Sequence, residues 1–156
     1  MRGCIAPFPF TMTVRPDGKQ IVAASIGWPF SLNIVDSPGT PETRVVRIPA
    51  GEQNDPKVQV HTGVAYSPDG ALLYDATGDT GAIDIYSTDD WSHVARISLD
   101  GVTAGRKFTS NFAASLVLSA DGRLLYAIDQ ANWRVVVIDT DHRSRISSVH
   151  TGVLTG

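Results

Sequence analysis

The side chains able to do chemistry in this chain collect in a few polar segments. Residues 49–61 carry Glu52, Gln53, Asn54, Asp55, Lys57 and His61, and residues 99–113 carry Arg106, Lys107, Asn111 and Phe112. Shorter segments hold Trp28, Asp79 and the pair Asn132-Trp133. Imidazole, guanidinium, ammonium and amide groups beside indoles suit a binding surface. The polar atoms fix a ligand's orientation, and an aromatic ring stacks on a sugar, a peptide or another ring. Trp28, Asn54, His61, Arg106, Lys107, Asn111, Asn132 and Trp133 are therefore the candidate ligand-binding residues. For the two tryptophans a packing role stands beside the binding one, because large aromatics mostly serve packing.

No catalytic template accompanies them. The chain has no Gly-x-Ser-x-Gly, no His-Glu-x-x-His and no phosphate-cradling glycine loop, and Cys4 is its only cysteine, so no thiol pair exists. Gly78-Asp79-Thr80-Gly81 contains the Asp-Thr-Gly of aspartic proteases, but it falls where an ordinary turn is expected. His93 and His142 have no partner at metal-binding spacing. The expectation is thus no catalytic residue, no metal and no cofactor. The one polar grouping suited to hydrolysis is His61, Arg106 and Asn111, should the fold make them converge.

Charge narrows the partners. Thirteen basic residues stand against 16 acidic ones, a formal net charge of −3. No basic run stands out beyond Arg106-Lys107, so nucleic acid is not an expected partner and a protein or small-molecule ligand is. Hydrophobic residues make up 42% and charged residues 19%, which is too apolar for disorder. No apolar run approaches the roughly 18 residues of a membrane span. The opening nine residues carry one positive charge and two prolines where a signal peptide needs its apolar stretch, so no export signal is expected in this chain.

The elements that must position these groups follow from an internal repeat. Asp-Gly occurs at Asp17-Gly18, Asp69-Gly70 and Asp121-Gly122, 52 residues apart each time. Apolar residues alternate before each glycine: Met12 and Val14, Val64 and Tyr66, Leu116 and Leu118. After it come Ile21, Val22 and Ala24, then Leu73, Tyr74 and Ala76, then Leu125, Tyr126 and Ile128. Two alternating runs joined by Asp-Gly predict a β-hairpin, since glycine adopts positive φ freely and the aspartate bonds nearby backbone N–H groups. A third strand is predicted at 32–36, 82–86 and 135–139, and a fourth around Arg47-Ile48, Arg96-Ile97 and Arg145-Ile146, 49 residues apart. The three repeated arginines are expected on the solvated face of outer strands. His61-Thr62-Gly63-Val64 recurs as His150-Thr151-Gly152-Val153, so a fourth unit is expected to begin near the end of the chain.

Four short antiparallel strands per repeat, punctuated by Gly and Pro, predict an all-β fold made of β-propeller blades, three in number, with an incomplete ring. The expected domain covers 1–156, with blades at about 11–50, 62–99 and 114–150 and the start of a fourth at 151–156. Ser67-Pro68-Asp69-Gly70-Ala71-Leu72-Leu73-Tyr74 and Arg134-Val135-Val136-Val137-Ile138-Asp139-Thr140 carry a further likeness. They resemble the YVTN-type propeller repeats of bacterial and archaeal surface or exported proteins and of lactonase-like propellers. The resemblance implies a periplasmic, exported or surface location. It also puts the loops between second and third strands on one rim with the blade-to-blade loops, opposite the Asp-Gly turns. Two functions are open: a non-catalytic scaffold presenting that rim to a protein or ligand, or a fragment of a propeller enzyme, lactonase-like or fused to a phosphoesterase. Exposed flanks on either side of three blades also predict a homo-oligomer, or further blades, to complete the ring.

Overall fold

The computed structural model describes residues 5–27, 30–49, 62–103 and 105–152. Trp28, Asn54 and His61 lie outside these residues.

Each Asp-Gly turn is built the same way. Gly18, Gly70 and Gly122 all sit at φ +73°, a left-handed conformation that L side chains rarely adopt. Their N–H groups donate to the carbonyls of Arg15, Ser67 and Ser119 at 2.8, 2.8 and 2.9 Å. In the second and third turns a serine and the aspartate reinforce the backbone. Ser67 Oγ donates to Asp69 Oδ1 at 2.5 Å, and Ser119 Oγ donates to Asp121 Oδ1 at 2.6 Å. The same carboxylate oxygens accept from the N–H of Ala71 at 3.0 Å and of Arg123 at 3.1 Å.

These bonds favour the ionised form. The serine hydroxyl first, and then the backbone N–H, hold the Asp69 and Asp121 carboxyls below the ordinary aspartate value. A carboxyl whose folded pKa is depressed stabilises the fold above its unfolded pKa of about 3.9, and that stability is lost as pH falls through the lower folded value. The thermal midpoint should therefore decline as pH is lowered below about 4. It should decline less steeply in the Ser67→Ala/Ser119→Ala double variant, and an identical slope in both proteins would refute this role for the turns.

The hairpins extend into three four-stranded antiparallel sheets. Blade 1 contains β1 (Pro9–Val14), β2 (Gln20–Ser25), β3 (Ser31–Asp36) and β4 (Arg44–Pro49). Blade 2 contains β5 (Gly63–Tyr66), β6 (Leu72–Ala76), β7 (Ala82–Ser87) and β8 (His93–Ser98). An additional hairpin, β9 (Gly101–Thr103) and β10 (Arg106–Phe108), follows in what the sequence suggested was a plain loop. Blade 3 contains β11 (Ala113–Leu118), β12 (Leu124–Asp129), β13 (Arg134–Asp139) and β14 (Ser144–His150). In every blade the strand order equals the chain order.

Period-two alternation gives each sheet two apolar faces, and the blades stack through them. Val22, Ala24, Leu32 and Ile34 of blade 1 pack on Val64, Tyr66, Leu73 and Tyr86 of blade 2. Tyr74, Ala76, Ile83 and Ile85 on the other face of blade 2 pack on Leu116, Leu125, Ala127 and Val136 of blade 3. Where the first strands of blades 2 and 3 meet, the backbones touch: a Cβ on Gly63 would lie 2.3 Å from the Ala114 carbonyl oxygen, so only glycine fits there.

The third-to-fourth connections return to the Asp-Gly rim. Thr88 Oγ1 donates to the Gly70 carbonyl at 2.6 Å, and Thr140 Oγ1 to the Gly122 carbonyl at 2.7 Å. By the antiparallel order, the second-to-third loops and the blade-to-blade segments share the opposite rim.

Candidate binding site

One position on that opposite rim departs from the repeat. The residues closing β2 and opening β3 are Ser25 and Ser31, which pair across the ladder. In blade 2 the equivalents are Thr77 and Ala82, joined by a backbone bond of 3.1 Å. In blade 3 they are Asp129 and Arg134. Both charged side chains are fully buried, and Arg134 Nε donates to Asp129 Oδ2 at 2.8 Å.

Burying two charges is tolerable only when their remaining donors and acceptors are satisfied. Here they are. Arg134 Nη2 donates to the Leu99 carbonyl and to Asn111 Oδ1, both at 2.8 Å, and its guanidinium lies 4.0 Å from the centre of the Phe108 ring. The other oxygen of Asp129 accepts from the Phe112 N–H at 3.0 Å. Asn132 Nδ2 donates to Asp129 Oδ2 at 2.8 Å, to the Ser110 carbonyl at 2.8 Å and to Asn111 Oδ1 at 3.1 Å. Asn111 Nδ2 in turn donates to Asp100 Oδ1 at 2.5 Å. One buried ion pair thus ties the end of blade 2, the segment after β10 and blade 3 into a single rigid wall.

In front of this wall lies a cavity of about 520 Å³, lined by Asp79, Thr80, Asp100, Ser110, Asn111 and Phe112. Asp79 and Asp100 are solvent-exposed carboxylates, so the cavity has an acidic border. On its far side Phe112 also lines an almost wholly apolar hollow of about 360 Å³ with Phe10, Ile26, Ala114 and Gln130, to which all three blades contribute. Trp133 stands at the rim, 61% exposed and at φ +53°, which is rare for a bulky side chain. Its carbonyl accepts from Thr151 N–H at 2.8 Å and Thr151 Oγ1 at 3.1 Å, which hold the strained residue in place.

Of the predicted residues, Asn111 and Asn132 meet directly, and Trp133 is next to them in the chain. Trp133 is 61% exposed and is not packed against the described blades. Arg106 and Lys107 are exposed on the β9–β10 hairpin, with the Arg106 guanidinium 5.2 Å from the centre of the Phe108 ring. Asp100, Asp129 and Arg134 were not among the predicted residues. Their signal was available: at a position otherwise filled by Ser, Thr or Ala, blade 3 alone carries opposite charges.

The repeated arginines lie on the outer strands, with Arg47 and Arg96 exposed. They turn towards polar groups on neighbouring strands. Arg96 Nε and Nη2 donate to the two oxygens of Asp84 at 2.7 and 2.8 Å, Arg47 Nε donates to Asn33 Oδ1 at 3.3 Å, and Arg145 Nη1 donates to Thr103 Oγ1 at 3.1 Å. Their long stems cover the sheet while their heads reach back to these acceptors. His93 Nε2 lies 3.0 Å from Asp84 Oδ1, and His142 Nδ1 lies 3.1 Å from Asp139 Oδ2. Among the described residues no three His, Cys, Asp or Glu side chains are grouped to hold a metal. No helix among them is long and apolar enough to cross a membrane.

Solved structures share this arrangement. The fold is that of a β-propeller. Hydrazine synthase of Kuenenia stuttgartiensis superposes with a TM-score of 0.71 at 19% identity, over 94% of this chain and 36% of that one. The RRP9 WD40 repeats superpose with a TM-score of 0.69 at 19% identity, over 96% of this chain and 40% of that one. The β-propeller domain of Cps50 (Swd1) from Myceliophteria thermophila gives 0.63 at 19% identity, over 82% and 38%. The chain therefore spans well under half the length of these proteins. No protein-family model and no curated protein sequence matches it.

Proposed function

We propose that this chain is a non-catalytic propeller segment whose blade 2–blade 3 rim binds a protein segment bearing a basic side chain. The observation that supports this is the cavity itself: an acidic border of Asp79 and Asp100 around Phe112, backed by a buried ion-pair network, with an exposed tryptophan at positive φ two residues along the chain from Ala131, which lines it. A lysine or arginine fits such a site, its apolar stem against Phe112 and its charged head between the carboxylates. Trp133 supplies the kind of rigid aromatic anchor on which binding energy concentrates. Kinship with YVTN-type repeats, read from the Ser67–Pro68–Asp69–Gly70 and Val135–Val136–Val137–Ile138 signatures, belongs to the same proposal.

The test uses fluorescent peptides that differ only in carrying Lys or Arg versus Glu at one central position, with binding followed by anisotropy. Basic peptides should bind in preference to acidic ones. Trp133→Ala and Asp79→Asn should each weaken binding about tenfold, or about 1.4 kcal/mol, without moving the thermal midpoint. Equal affinity for both peptide sets would defeat the proposal. So would lactone hydrolysis by this chain that disappears in His61→Ala, since that would make it an enzyme.

A further inference from the structure

The hairpin inserted between blades 2 and 3 carries charges opposite in sign to those of the cavity beside it. Its strands β9 and β10 pair Thr103 with Arg106, Val102 with Lys107 and Gly101 with Phe108. The residues just beyond the open end of that ladder are Asp100 and Thr109, and both line the cavity. Lys107 and Arg106 therefore stand two and three strand residues from the cavity wall, about 7 and 10 Å at 3.4 Å per residue. Both are exposed, and neither lies within ion-pair distance of an acidic side chain among the described residues. An acidic mouth and a basic ledge thus adjoin on one surface.

The ledge is fixed by contacts within this chain. Arg145 Nη1 donates to Thr103 Oγ1 at 3.1 Å and to the Val102 carbonyl at 3.3 Å, and Ser148 Oγ donates to Thr103 Oγ1 at 2.7 Å. Phe108 is buried, with the guanidinium groups of Arg134 and Arg106 at 4.0 and 5.2 Å from its ring centre. Arg145 and Ser148 pair across the ladder with Ile138 and Val136, which belong to the core shared with blade 2. Directly opposed residues share a face of the sheet. The hairpin is therefore seated on the blade 2 side of blade 3, between two blades of one chain, and not on an end face. Charges held in this way need little reordering on binding, so a ligand of complementary charge keeps the electrostatic gain.

We propose that the segment recognised at this rim carries an acidic residue two positions from its basic one, the basic side chain in the cavity and the acidic side chain on Lys107 and Arg106. This rests on the reading of the cavity as a site for a basic side chain, and it names the charge pattern of the partner. The spacing follows from extended backbone. Side chains two residues apart point the same way and lie about 7 Å apart, which is the step from Thr109 to Lys107. A uniformly basic segment is repelled by the hairpin and a uniformly acidic one by Asp79 and Asp100, so the pattern selects against both.

Anisotropy with labelled peptides that share a central Lys tests this. Glu, Gln or Lys is placed two positions before it in one series and two positions after it in another. In one of the series the Glu peptide should bind about fivefold tighter than the Gln peptide, the size of one good exposed ion pair, and the Lys peptide should bind more weakly than either. The preference should shrink as salt is raised. In the Arg106→Glu/Lys107→Glu variant the order should reverse, while a central Lys is still preferred over a central Glu. Equal affinities throughout both series for the wild-type chain overturn the proposal and leave the cavity reading standing, and that readout needs no variant to fold. An order that persists in the double variant overturns it too. If a central Lys and a central Glu bind alike, the cavity reading itself fails, and this proposal with it.

Discussion

Replacing Arg134 with methionine lowers the stability of this protein by about 3–5 kcal/mol, the range expected when one member of a buried ion pair is removed. Methionine matches much of the arginine's length, so lost volume is not the main cause. What remains is the Asp129 carboxylate, fully buried and stripped of its 2.8 Å guanidinium partner, together with a Leu99 carbonyl and an Asn111 amide oxygen that each lose a donor. The Asp129→Leu/Arg134→Met double variant should recover most of the loss, because no unpaired charge is left inside. Urea unfolding of the three proteins measures both effects. A single variant within 1 kcal/mol of the parent would mean that the ion pair is not the keystone of this wall. The same experiment bears on binding, since Asn111 borders the cavity and is positioned by Arg134.

The second large effect is expected at Arg96, and it is asymmetric. Asp84 is buried directly across the β6–β7 ladder from the equally buried Asp75, and the guanidinium of Arg96 grips both Asp84 oxygens. That hydrogen bonding raises the pKa of Arg96 above its already high ordinary value, so the arginine stays charged throughout the working range. Arg96→Met removes the bidentate partner of the buried Asp84 carboxylate, which keeps its 3.0 Å contact with His93, and should cost about 2–3 kcal/mol, a figure reduced because the Arg96 side chain is 44% exposed and partly screened. Asp84→Asn keeps the shape and a hydrogen-bonding oxygen while removing one charge, and should cost no more than about half as much. Chemical denaturation again decides. If the asparagine variant is the weaker of the two, the buried Asp84 charge does not govern this site.

The architecture was legible because hairpins announce themselves locally. An Asp-Gly flanked by alternating apolar residues leaves little freedom in turn type or facing, and three copies at equal spacing make the assignment mutually consistent. The β9–β10 hairpin was missed because Gly101–Thr103 and Arg106–Phe108 are too short to show alternation, and Arg106-Lys107 reads as loop chemistry. The site was half legible. Asn111 and Asn132 stood out as polar groups in loops. Asp129 and Arg134 did not, because an acid ending one strand and a base opening the next look like solvated strand ends. Only packing of the segment after β10 over that hairpin end removes both from water, and contacts of that range leave no trace in local pattern. Trp133 shows the converse: its size suggested burial, yet a short 3₁₀ turn at Gln130–Asn132 and a left-handed backbone swing it out to solvent.

The strand order within the blades governs how this protein is made. Since every ladder joins strands that are consecutive along the chain, each sheet can form as soon as its own forty or so residues have been synthesised, with only short closures to complete. Docking of one sheet on the next must wait for the later sheet to appear. An emerging chain therefore always carries one finished but unburied apolar surface at its growing end. The hazard during biosynthesis lies in the interval between completing one unit and receiving its successor, so slowed translation after β8 should raise the fraction of chains lost to aggregation.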